Sequence, residues 1–111
     1  MSETAAALDR VAVRIAADLR RCLGPVDPKR DALITVAAEV AAWAMYARET
    51  ILAHGASVAD LDNLYEMTWR LRQSLNWLGG VACAHSMARI ILQEAMDTLE
   101  AAAALGGGAN D

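Results

Sequence analysis

Between Asp27-Pro28 and His54-Gly55 the chain runs for about 27 residues without an interior glycine or proline. Asp27 is a good N-cap, and Pro28 suits the first helical position, where its missing N–H is no loss. A helix of that length is a rod of about 40 Å. Leu33, Val36, Ala37, Val40, Ala44, Ala47 and Ile51 form one apolar face, while Ile34, Ala38, Ala41, Ala42 and Met45 carry apolar character around much of the rest. Only a strip through Thr35, Glu39, Tyr46 and Glu49 is suited to water. A helix apolar over most of its circumference belongs at the centre of a bundle or in an interface.

The flanking segments are helical as well, and no stretch alternates as a strand would. In residues 4–23, Leu8, Val11, Ile15, Leu19 and Cys22 recur at spacings of three and four, and Arg14 and Asp18 form an i,i+4 pair on the outside. Gly24-Pro25 and Pro28 end that helix. Ser57, with Asp60 three residues on, caps a third helix over 58–78. Leu61, Leu64, Thr68, Leu71, Leu75 and Leu78 make its heptad seam. A fourth helix is expected over 81–105, on a seam of Ala84, Ala88, Ile91, Ala95, Leu99 and Ala102. Gly79-Gly80, between the third and fourth, favours a turn over a kink in one long helix. The reading is an all-α antiparallel bundle of four helices in a single domain, 1–105, with 106–111 as a disordered tail.

Composition narrows what such a bundle can do. Hydrophobic residues make up 56% of the chain but aromatic ones only 5%, with no Phe. Alanine buries little area per residue, so the core is thin and association is the simplest remedy. A homo-oligomer built on alanine-rich faces is therefore expected. Ten basic residues against 14 acidic ones give a net charge of −4 and a pI near 5.0, which disfavours nucleic acid. A helix-turn-helix at His54–Ser57 would set Asp60 and Asp62 against phosphates. No membrane span or leader is read, and a cytoplasmic, reducing setting fits Cys22 and Cys83 as thiols.

Catalytic and metal chemistry find little support. Cys83 and His85 stand two apart on the expected fourth helix and so point to different sides. No Glu is followed by His at the spacing of a di-iron helix, and nothing local nominates a base for Cys83 as a nucleophile. No enzyme activity, cofactor or metal is expected.

The aromatic residues are the stronger signal. Tyr65, Trp69, Arg72 and Asn76 follow each other at i,i+4,i+7,i+11 on a face of the third helix beside its leucine seam. Tyr, Trp and Arg are enriched in binding hot spots. These four are the candidate binding residues, whereas Trp43 is expected to fill the core. The functional expectation is a non-enzymatic protein that self-associates and binds a protein partner. It would serve as an adaptor, a regulatory subunit or an inhibitor, including one encoded by a phage. The alternative is a small-molecule-binding protein that stacks a flat anionic ligand on Tyr65 and Trp69, with Arg72 meeting its charge.

Overall fold

A computed structural model describes residues 3–79 and 84–110, with side chains up to residue 105. Four helices follow in chain order: α1 (Glu3–Leu23), α2 (Pro28–His54), α3 (Val58–Leu78) and α4 (Met87–Asn110). They pack as an all-α antiparallel bundle, without a strand among the described residues. The long second helix is the hub. It packs along α1 on one side and α3 on the other and also meets α4, while α1 and α3 do not touch. The bundle measures 51 × 34 × 19 Å, so it is broad and flat.

The boundaries follow from local chemistry. Asp27 accepts a hydrogen bond from the Arg30 N–H at 2.8 Å, and Ser57 accepts one from Asp60 N–H at 3.1 Å. Gly24, Gly55 and Gly79 end the first three helices with φ of +73°, +86° and +91°, a region that side chains with a Cβ adopt at a cost. At the start of α4, Ser86 accepts from Arg89 N–H at 3.2 Å and Asp18 of α1 accepts from Met87 N–H at 2.7 Å. Arg30 of α2 donates from Nη2 to the Leu78 carbonyl, at the other side of the α3–α4 connection. Side chains of α1 and α2 thus complete the ends of α4 and α3.

The core is alanine, leucine and isoleucine. Leu64, Thr68, Leu71, Leu75 and Leu78 are buried along α3, and Leu8, Ile15 and Leu19 along α1. On α2 the buried set includes Ile34, Ala37, Ala38, Ala41, Ala42 and Ala44. The alanine faces to which the sequence assigns self-association are therefore occupied within one chain, by the neighbouring helices. Thr68 is accommodated by donating its hydroxyl to the Leu64 carbonyl.

Several sequence expectations need correction. The fourth helix was expected from Val81 but starts at Met87, after a turn at Ala84-His85, because Ser86 and Asp18 cap it there. Ala84 is consequently exposed and off the seam. Val81, Cys83 and the Gly80 half of the glycine pair lie outside the described residues. At its far end α4 runs to Asn110. Asp18 pairs with Arg21 rather than Arg14, one turn in the other direction. Val36 and Trp43 are exposed, not buried. Position 43 shares the outer face of α2 with Val36, Glu39 and Tyr46, and the Trp43 ring meets Tyr46 edge-on at 6.0 Å.

Candidate functional site: the groove between the third and fourth helices

Every aromatic side chain in the protein is on its surface. The exposed fraction is 47% for Trp43, 41% for Tyr46, 63% for Tyr65, 55% for Trp69 and 68% for Trp77. Tyr and Trp carry large apolar rings, and exposed apolar area of this kind marks candidate interaction surfaces.

Tyr65 and Trp69 converge with Arg72 on one groove. The α3 leucine seam faces the bundle, and the stripe one position around the helix from it faces along the flank towards α4. Asp62, Tyr65, Trp69 and Arg72 form the α3 wall of this groove, and Met96, Leu99, Glu100 and Ala103 form the α4 wall. Its volume is about 540 Å³. Small residues on the last turns of α4 keep that wall low and leave both rings open to solvent. Asn76, the fourth sequence candidate, is exposed on the same stripe but beyond the groove. A second groove of about 600 Å³ on the other side of α4 is lined by Ile51, Leu52, Thr98 and Leu105, with no aromatic or basic side chain.

The ion pairs among the described residues all lie away from the main groove. Arg20 is paired with Asp31, Arg21 with Asp18, Arg48 with Glu94 and Arg70 with Glu66. The Arg20 hydrogen bond holds the Asp31 carboxyl below its usual range, and the same contact raises Arg20. Asp62, Arg72 and Glu100, all on the groove, have no ion pair among the described residues. Asp62 and Arg72 are ten residues apart on one helix, about 15 Å along its axis, and cannot reach each other.

Among the described residues no three His, Cys, Asp or Glu side chains are placed to hold a metal ion. No buried side-chain polar atom there lacks a partner. No helix among the described residues is long and apolar enough to cross a membrane. Comparison with known proteins gives no match to a family model, a curated protein or a solved structure.

Of the sequence candidates the groove brings together Tyr65, Trp69 and Arg72, and it adds Asp62 and the α4 wall, which were not among them. Asp62 was detectable, because it continues the Tyr65–Asn76 stripe at the same spacing. Which face of α4 would oppose that stripe depends on how the helices pack, which no local pattern encodes.

Proposed function

We propose that this is a non-enzymatic interaction protein, acting in a reducing cytoplasmic setting, that associates with itself and with a protein partner through its exposed aromatic surfaces. It would act as an adaptor, regulatory subunit or inhibitor. The observation that carries this reading is the complete exclusion of Trp and Tyr from the core, with two of those rings and Arg72 on one groove. Such residues anchor interfaces because they bury a large area with few rotors to immobilise. The free thiol of Cys22 fits a compartment without disulfides.

A second reading, a site for a flat anionic small molecule, is favoured by the volume of the groove and by Arg72 within it. Asp62 and Glu100 on the same groove oppose an anion, so this reading ranks below the first. One paired experiment separates them. Affinity capture with the wild-type chain and a folded Trp69→Ala variant should show a protein retained by the first and lost by the second. If no protein is retained, and anionic aromatic compounds raise the melting temperature of wild type but not of Arg72→Ala, the small-molecule reading replaces the interaction reading.

A further inference from the structure

The α3 stripe is complementary to a second copy of itself. Its members are Val58, Asp62, Tyr65, Trp69, Arg72 and Asn76, each exposed. They fall symmetrically about residue 67. Tyr65 and Trp69 are equally distant from that centre, as are Asp62 and Arg72, and as are Val58 and Asn76. When two identical helices pack antiparallel about a two-fold axis, residues equidistant from the axis face each other. A two-fold through residue 67 therefore sets Tyr65 against the partner's Trp69, and Asp62 against the partner's Arg72. By symmetry each contact occurs twice. The alternating spacing of four and three is that of a helix–helix seam, and it lies beside the Leu61–Leu78 seam, so α3 carries one seam inward and one outward.

The geometry points to an antiparallel homodimer in which α3 of each chain lies in the α3–α4 groove of the other. This rests on the self-association part of the interaction reading and gives it a definite surface. Three observations support a second copy as the occupant. Asp62 and Arg72 cannot pair within one chain, yet each meets its opposite charge when the stripe is reversed against itself. No like charges on the stripe are brought face to face. Glu100, on the opposite wall, gives the incoming Arg72 a second carboxylate at the same end of the groove. Six residues alone fall short of the roughly 20–30 per side of a standard interface, and the α4 wall extends the contact through Met96, Glu100 and Ala103.

The test is a charge swap read by light scattering or sedimentation across a concentration series. Wild type should reach the mass of a dimer. Asp62→Arg and Arg72→Asp should each weaken dimerisation at least about tenfold, by placing like charges together. The double variant Asp62→Arg/Arg72→Asp, with the pairs re-formed in reverse, should recover most of the wild-type affinity. Both positions of substitution are exposed, and circular dichroism reports whether each variant keeps its helices. Trp69→Ala, which removes the central contact without changing charge, should also leave a monomer. A wild type that stays monomeric overturns the proposal, and so does a dimer indifferent to both reversals or a swap that fails to restore it. A monomer that still captures a protein partner through Trp69 would overturn the self-pairing alone and leave the interaction reading standing. Loss of both would remove the two together.

Discussion

Arg30 shows how much one side chain can organise in a bundle this small. Its backbone N–H closes the cap of α2 on Asp27, and its guanidinium reaches across to the Leu78 carbonyl at the end of α3. The last carbonyls of a helix lack intrahelical donors and form the negative end of its dipole, so a cation there is favourable twice over. Gly79 follows at φ +91°, and a Cβ built there would lie 3.6 Å from Arg30 Nη2, which shows how closely the guanidinium covers this turn. Arg30→Met keeps the apolar stem and removes the donor. Its expected effect is a loss of about 1–2 kcal/mol, seen as a lower urea midpoint at unchanged slope. Lys29→Met, a neighbouring charge without this contact, should leave the midpoint nearly unmoved. Equal shifts for the two would mean that net charge, not the contact, is responsible. At the same scale Arg20 and Asp31 join α1 to α2 at 2.9 Å, but both are solvent-exposed, and an exposed pair contributes little.

At the scale of the helix, α2 and α3 show two ways of being central. The leucine period of α3 has a strong contrast between its seam and its outer face, and its inward residues were legible directly from the sequence. Alanine supplies no such contrast. It suits a buried face and an exposed one almost equally, which is why the spacing on α2 put Val36 on the inner face. The size of the space decides the matter: Ala37, Ala41 and Ala44 are fully buried, and neighbouring helices close over them. Ala41→Leu should accordingly overpack the centre and destabilise by about 1–3 kcal/mol. Ala32→Leu, on the exposed side of the same helix, should stay within about 0.5 kcal/mol of wild type. Urea denaturation of the two variants reads the difference, and a harmless Ala41→Leu would mean that this face is open rather than packed. The aromatic stripe of α3 was legible for the same reason as its seam, a regular spacing of distinctive residues. The start of α4 was not, because its caps are Ser86 together with Asp18 from another helix.

For the whole molecule, the distribution of its three indoles has a consequence that is directly observable. Most folded proteins bury at least one tryptophan, and unfolding then moves its emission to the red as water reaches the excited ring. Here all three are between about half and two thirds exposed, and the core contains none. The dilute, folded monomer should therefore emit close to solvated indole, and urea should shift the spectrum little while helicity is lost. Raising the protein concentration should do the reverse. If α3 pairs with its copy, Trp69 moves from water into contact with Tyr65 of the second chain, and emission shifts to the blue as dimer forms. A variant with Trp43→Phe and Trp77→Phe isolates this signal, since Trp69 is then the remaining indole. Its blue shift should follow the same concentration dependence as the mass, and Asp62→Arg should displace both curves together. Emission already blue in the monomer would place an indole in the core and contradict the packing described above. A spectrum that stays red while the mass doubles would place the interface away from α3. The thin alanine core makes these outcomes matter for stability as well: the aromatic area withheld from the interior becomes available only when a second surface covers it.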